Sequence, residues 1–135
     1  MLSSLWSAYQ VWAAGVSVVG MSNLHTLYKT TRKGDLLPYL TQQIGTPETH
    51  PDLYHDRSAI NFIEDVRSPL LILQGGRDPR VPLTEAEQMR DRMAAAGKTY
   101  GYYVYMDEGH GFRKIENVVD SMHRTIGFFD EYMPA

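Results

Sequence analysis

The pattern of apolar positions along the chain predicts three β-strands. Residues 13–20, AAGVSVVG, form a β-branched run that ends in glycine. Residues 69–76, PLLILQGG, hold a continuous apolar run closed by two glycines, and residues 100–106, YGYYVYM, are aromatic and β-branched. Short continuous runs of this kind are typical of strands in a parallel sheet, which is covered on both faces.

Two longer segments repeat their apolar residues with the period of a helix. Residues 84–97, TEAEQMRDRMAAAG, begin with the capping-box spacing of Thr84 and Glu87 and end in Gly97, a typical helix stop. A second, longer amphipathic helix is predicted near the C-terminus. Its apolar positions are Ile115, Val118, Val119, Met122, Ile126, Phe129 and Met133.

The remaining segments carry weaker signals. Residues 21–56 are mixed in character and turn-rich, and we expect residues 43–57, QIGTPETHPDLYHDR, to be loop with at most short helical turns. Residues 58–66, SAINFIEDV, predict one short helix with Ser58 near its N-cap.

The order strand, loops, strand, helix, strand, helix predicts an α/β fold. A strand–helix–strand unit of this length requires parallel strands joined by a right-handed crossover. We therefore expect a parallel sheet of about three strands with flanking helices. In such sheets the catalytic and ligand-binding residues lie at the carboxyl ends of the strands. Two loops lie there, GGRDPRVP at residues 75–82 and DEGHGF at residues 107–112.

Composition and charge narrow the function classes. The 135 residues suit one domain, and the net charge of -3 comes without a basic stripe, so we expect no nucleic-acid partner. The absence of cysteine excludes disulfides, thiolate metal sites and a cysteine nucleophile. The apolar run at residues 11–21 is too short to span a bilayer, so we expect no membrane partner and a soluble, cytoplasmic protein.

Asp78 and His110 are the candidate catalytic pair, because each directly follows a predicted parallel strand. A carboxylate there can accept a hydrogen bond from one imidazole nitrogen and support the imidazolium that forms when the other takes a proton. Asp107 and Glu108, as adjacent strand-end acids, would point in different directions, so we interpret them as solvated charges. The other histidines lack metal-ligand spacing, so we expect no metal and no cofactor. These are His25, His50, His55 and His123.

The two segments SPLLILQGGRDPRVPLTEAEQM and YMDEGHGFRKIENVVDSMHRTIGFFDEYM resemble the C-terminal end of a prolyl oligopeptidase-type serine peptidase, an α/β-hydrolase. The branch they resemble most is that of the acylaminoacyl-peptidases and dipeptidyl-peptidases. The resemblance covers nearly the whole chain from about Ala13 onward. It implies that Asp78 is the acid of a catalytic triad, that His110 is its base, and that Val81 helps to wall the substrate pocket.

The serine nucleophile that this family carries in G-x-S-x-G is not evident. Ser17 and Ser22 lie in near matches, GVSVV and GMSNL, in which valine or leucine replaces the final glycine. Neither has the strand before it and the helix after it that a nucleophile elbow needs. We therefore expect residues 1–135 to be a partial α/β-hydrolase domain that lacks the half with the nucleophile elbow.

Three functional hypotheses follow. The first is a serine peptidase that cleaves peptide or acyl-peptide bonds in a longer protein, and the second is a carboxylesterase or dienelactone-hydrolase-like enzyme. The third is a non-catalytic half-domain that forms a homo-oligomer, because a shortened parallel sheet exposes a strand edge. On the third hypothesis the contact would involve the edge strand or the N-terminal residues Leu5, Trp6, Tyr9 and Trp12.

Overall fold

The computed structural model describes residues 12–31 and 36–133, and these build one parallel sheet with helices on both faces. Leu5, Trp6 and Tyr9, named above for an oligomer contact, lie outside the described residues. Strands β1 (Gly15–Val18), β2 (Leu70–Gly75) and β3 (Tyr100–Tyr105) lie in the order β1-β2-β3. Both pairings are parallel, as the crossover argument predicted. The strand β2 is buried along its whole length, which explains its continuous apolar sequence.

Five α-helices and one 3-10 helix connect and cover the strands within the described residues. They are α1 (Leu24–Thr30), α2 (Leu36–Ile44), α3 (Pro51–Asp56), the 3-10 helix Ala59–Asp65, α4 (Leu83–Ala95) and α5 (Ile115–Tyr132). Among the residues described, none of these helices is both long enough and apolar enough to cross a membrane.

Three short helices lie in the segment described only as mixed and turn-rich, and the six-residue α3 agrees with the short helical turns expected at residues 43–57. Asn23 begins α1 with its side-chain oxygen, which accepts hydrogen bonds from the backbone N–H groups of His25 and Thr26. The buried side chains of Leu24, Leu27, Leu40 and Tyr54 pack these helices around a small core of their own. Such short helices are stabilised mainly by tertiary packing, which local sequence signals do not report.

One predicted helix start is confirmed in position and a second is not. Ser58 is the N-cap residue of the segment Ala59–Asp65, but this segment is a 3-10 helix and the Ser58 hydroxyl, instead of capping it, donates to the carbonyl of Tyr54 at 2.5 Å. The helix α4 begins at Leu83 after Pro82, without a side-chain cap, so the capping box of Thr84 and Glu87 is not formed. The predicted stop is confirmed, since Gly97 has a φ of 63° just beyond the end of α4.

The two faces of the sheet carry separate cores. On one face α4 packs on β2 through Ala86, Met89 and Met93 against Leu70 and Ile72. On the opposite face α5 packs through Phe128, with Leu71 and Leu73 from β2, Ala14 and Tyr105 completing the buried cluster. The alternation of β2 residues between these cores follows from the two-residue period of a strand.

The long amphipathic helix is confirmed as α5, but much of its apolar stripe faces away from the sheet. Its C-terminal end is held by aromatic packing. Phe128 lies in the buried cluster, and Phe129 and Tyr132 pack against that cluster. Several apolar positions used to predict the helix are instead exposed. They are Ile115, Val119, Met122, Ile126 and Met133.

Candidate active site

The loops that follow β2 and β3 are joined through their backbones. Gly75 and Tyr105 end the paired strands in register. Beyond them, the N–H of Gly76 donates to the carbonyl of Tyr105 and the N–H of Arg77 donates to the carbonyl of Glu108, both at 2.8 Å. A Cβ at Gly75 would collide with the carbonyl oxygen of Gly109, so this close approach requires glycine. The acid loop and the histidine loop are therefore one packed unit.

Asp78 is held by its own turn. Its side chain is 0% exposed, and Oδ1 accepts hydrogen bonds from the N–H groups of Arg80 and Val81, both at 2.9 Å. This is the turn that an aspartate before proline favours, because the side chain satisfies backbone donors two and three residues on. The oxygen Oδ1 is thereby used within the turn, which leaves Oδ2 available for another partner.

The structure brings His110 to that second oxygen. The Nδ1 atom of His110 lies 2.8 Å from Oδ2 of Asp78. The imidazole is 33% exposed, and its Nε2 atom makes no hydrogen bond within the described part of the chain. An Nδ1–H donated to a buried carboxylate leaves Nε2 as the basic nitrogen. The pair can therefore accept a proton from a group placed at the exposed side of the ring.

Gln74 is a neighbour of the pair that the sequence analysis missed. Its side chain is fully buried, and Nε2 donates to the carbonyl of Val81 at 3.0 Å and lies 3.4 Å from Oδ2 of Asp78. Its Oε1 is buried without a hydrogen-bond partner in the described structure. A glutamine in an otherwise apolar strand, four residues before the acid, was the available signal.

Glu108 is not the solvated charge that we expected from the sequence. The residue is 4% exposed, and its carboxylate accepts hydrogen bonds from the backbone N–H groups of Arg113 and Lys114 and from the Asn117 side chain. These bonds, that of Asn117 foremost, lower the pKa of Glu108 below its ordinary value. Asp107 matches the expectation, since it is exposed and pairs with Lys114.

Neither candidate serine occupies a nucleophile elbow. Ser17 lies inside β1 opposite Ile72, so no strand-to-helix turn surrounds it. Ser22, contrary to expectation, does lie between a strand and a helix, β1 and α1, but it is 2% exposed and its hydroxyl donates to the carbonyl of Glu85 at 2.7 Å, so it is not presented at the surface as a nucleophile. The carboxylate of Glu85, also buried, accepts from the N–H of Asn23, which fixes the segment after β1 to the start of α4.

Val81 and the remaining histidines are placed differently from the pair. Val81 is 2% exposed and follows the Asp78 turn, so its part in a substrate pocket stays a prediction. The ring of His25 is tilted against Tyr54, and that of His55 meets Phe62 edge-on, away from the two loops. Across residues 12–31 and 36–133, no cluster of three or more His, Asp or Glu side chains could hold a metal ion.

Comparison with known proteins identifies the family to which the chain belongs. Residues 1–135 match the prolyl oligopeptidase family. The chain is 35% identical over 120 residues to dipeptidyl aminopeptidase BIII of Pseudoxanthomonas mexicana, a match that covers 86% of this chain and 17% of that protein. It is 29% identical over 83 residues to a putative carboxymethylenebutenolidase of Methylorubrum extorquens, which covers 56% of this chain and 28% of that protein.

Solved structures share the fold. A puromycin-hydrolyzing peptidase of Mycobacterium tuberculosis superposes with a TM-score of 0.90 at 29% identity, over 96% of this chain and 20% of that one. The acylaminoacyl peptidase of Pyrococcus horikoshii has a TM-score of 0.83 at 19% identity, over 94% of this chain and 21% of that one, and shows the fold alone. The chain thus spans about a fifth or less of the peptidases it matches. It belongs to the prolyl oligopeptidase family, with an α/β-hydrolase fold.

Proposed function

We propose that this chain supplies the acid and the base of a serine peptidase that cleaves peptide or acyl-peptide bonds in a longer protein. The observation that carries the proposal is the hydrogen bond between Nδ1 of His110 and the buried carboxylate of Asp78. Membership of the prolyl oligopeptidase family supports it, because hydrolysis by this family requires such a pair.

The geometry suits the proton transfers of acyl-enzyme chemistry. In the proposed reaction, Nε2 of His110 takes the proton of a serine hydroxyl while the serine oxygen attacks the scissile carbonyl. The same nitrogen then gives that proton to the leaving amine, and water repeats the sequence to release the acyl group. Asp78 holds the ring and stabilises the imidazolium. Since neither Ser17 nor Ser22 lies in an elbow, we place the nucleophile on a segment preceding β1.

The test is hydrolysis by the longer protein in which this chain follows the segment that its relatives carry. We expect His110→Ala to reduce kcat/KM for an acyl-peptide substrate by at least roughly a thousandfold. His123→Ala on the exposed side of α5 is the matched control and should leave the rate unchanged. If the His110 variant stayed as active as its parent, the assignment of the base would be wrong.

An esterase is the second candidate, and the similarity to a putative carboxymethylenebutenolidase favours it. The same strand-end acid and base can serve ester hydrolysis, since substrate choice depends on the walls around them. A panel of acyl-peptide, dipeptide and simple ester substrates separates the two candidates. The peptidase proposal requires higher kcat/KM on the peptide substrates, and the esterase proposal requires the reverse order.

A non-catalytic assembly is the third candidate. The exposed apolar side chains of α5 and the exposed Val18 on β1 support it, because such surfaces favour association. It is distinguished from both enzymes by self-association together with an absence of hydrolysis in the longer protein.

A further inference from the structure

We propose that Glu108 is a positioning residue, whose carboxylate fixes the loop that presents His110 to Asp78. The inference deepens the proposed function and rests on it for its relevance to catalysis. Among the described residues, the carboxylate of Glu108 bonds to Arg113, Lys114 and Asn117 and not to Asp78 or His110, so we infer that it acts through the loop and not on a substrate.

Glu108 is bonded to both sides of the site. Its backbone carbonyl accepts from the N–H of Arg77 in the acid loop at 2.8 Å. Its side chain accepts from the N–H of Arg113 at 3.0 Å and from the N–H of Lys114 at 2.9 Å. The five residues between Glu108 and Lys114, with His110 among them, are therefore closed into a loop by this one carboxylate.

Beyond Glu108, the loop is held by the ring of Phe112, which packs against Tyr105, and by the bond of His110 to Asp78, while the backbone beside His110 is glycine. Gly109 and Gly111 flank His110, and Gly111 has a φ of 100°, a conformation that glycine adopts readily. The contact between these two glycines is an isolated bridge and does not continue into a strand. A loop with two flexible residues beside its functional side chain needs a fixed closure to hold that side chain in one place.

A charged acceptor fits this task. The carboxylate faces three donors and lies at the start of α5, where unpaired backbone N–H groups attract negative charge. Charge-assisted hydrogen bonds of this kind are about twice as strong as neutral ones. Glutamine in its place would retain one oxygen acceptor and turn an NH2 group toward the remaining donors.

Asp107 offers a matched control, because it is the neighbouring acid and also bonds to residues at the start of α5. Its contacts are to the side chains of Lys114 and Asn117, and it is exposed. Removing it therefore changes charge by the same amount at nearly the same place without opening the loop.

The experiment uses NMR on the 135-residue chain. It measures how fast the proton on Nδ1 of His110 exchanges with water. We expect this exchange to be at least about tenfold faster in Glu108→Ala than in the parent, because the loop then opens locally. Asp107→Ala should leave it unchanged, and Glu108→Gln should give an intermediate rate. If the Glu108 carboxylate served only general stability, its removal in Glu108→Ala would lower the melting temperature and leave the exchange rate of the folded chain unchanged.

Exchange in folded Glu108→Ala within about twofold of the parent would overturn the proposal. Should the alanine variant fail to fold, Glu108→Gln decides, and a parental exchange rate in that variant would overturn it as well. No substrate is involved in this measurement. If His110→Ala kept its hydrolytic activity while Glu108→Ala released the ring, the proposed function would fail and the positioning role would stand.

Discussion

At the scale of single residues, the two oxygens of Asp78 have different tasks. Oδ1 satisfies the N–H groups of Arg80 and Val81, and Oδ2 faces Nδ1 of His110. The first task is structural and needs only an oxygen acceptor. The second determines which imidazole nitrogen carries the proton and therefore needs a carboxylate.

The two tasks predict different results for two substitutions. Asp78→Asn should keep the turn, with its oxygen on the backbone donors, but its NH2 group would donate to Nδ1 of His110. The ring would then carry its proton on Nε2, and hydrolysis in the longer protein should fall by about 10⁴-fold. Nitrogen chemical shifts of His110 report the tautomer directly. An Nδ1–H tautomer in the asparagine variant would contradict this account of Oδ2.

Asp78→Ala should also unfold more easily, because it leaves the buried N–H of Val81 without its acceptor. We expect a loss of about 1–3 kcal/mol in the free energy of unfolding relative to the asparagine variant. Urea denaturation of the two variants measures the difference. Equal stability would show that the turn does not depend on Oδ1.

At the scale of elements, the site depends on how closely the end of β2 approaches the histidine loop. Gly75 and Gly127 test this as a pair. A methyl group at Gly75 meets the backbone of Glu108 and Gly109, whereas one at Gly127 in α5 meets nothing within 4 Å. Replacing glycine by alanine should therefore change the free energy of unfolding in opposite directions at the two positions.

Gly75→Ala should destabilise the chain by about 1–3 kcal/mol, since two backbone segments would have to move apart. Gly127→Ala should stabilise it by about 1 kcal/mol, because alanine is the better helix former. Thermal or urea unfolding measures both. A Gly75→Ala variant as stable as its parent would mean that the two loops are not tightly packed.

The start of α5 predicts a pH dependence. Folding lowers the pKa of Glu108 below its ordinary value of 4.5, mainly through Asn117 and the N–H groups of Lys114 and Arg113. The unfolded chain therefore takes up the proton first as the pH falls, so this stabilisation is present above pH 4.5 and is lost below it. Between pH 5 and pH 3, roughly, the parent should lose more stability than Glu108→Gln. If the free energy of unfolding fell equally with pH in the parent and in Glu108→Gln, this prediction would be contradicted.

The sequence predicted those elements whose own residues determine them. The strand Leu70–Gly75 is apolar throughout because both faces of the sheet are covered, and Gly97 ends α4 by a local backbone conformation. The helices α1 and α2 were not predicted, since their buried Leu27 and Leu40 are stabilised by partners distant in sequence. Asp78 and His110 were predicted because each follows a strand, but Glu108 was not, because its donors lie beyond the loop.

At the scale of the whole molecule, one edge of the sheet and one face of α5 present apolar side chains to solvent. Val18 on β1 is 47% exposed, and Met122 and Ile126 on α5 are 58% and 55% exposed. Exposed strand edges and apolar patches promote association. We therefore expect the 135-residue chain to form dimers or higher oligomers at micromolar concentration.

Sedimentation of two variants tests the part of the edge strand in this association. Val18→Lys should weaken self-association, because a lysine on an edge strand opposes pairing with another strand. Met106→Lys is the control, since Met106 is also apolar and exposed, at 64%, but follows β3 at the opposite edge. A parent chain that is strictly monomeric would contradict the prediction, and equal effects of the two variants would exclude β1 as the contact.

The most direct test of the central claim is labelling with a fluorophosphonate probe, read by intact mass and peptide mapping. The longer protein should take up one probe on a serine that precedes β1, and labelling should be lost in His110→Ala and retained in His123→Ala. The 135-residue chain alone should take up none. Labelling that persisted in His110→Ala would contradict the role proposed for His110, and an adduct on Ser17 or Ser22 would contradict the placement of the nucleophile before β1.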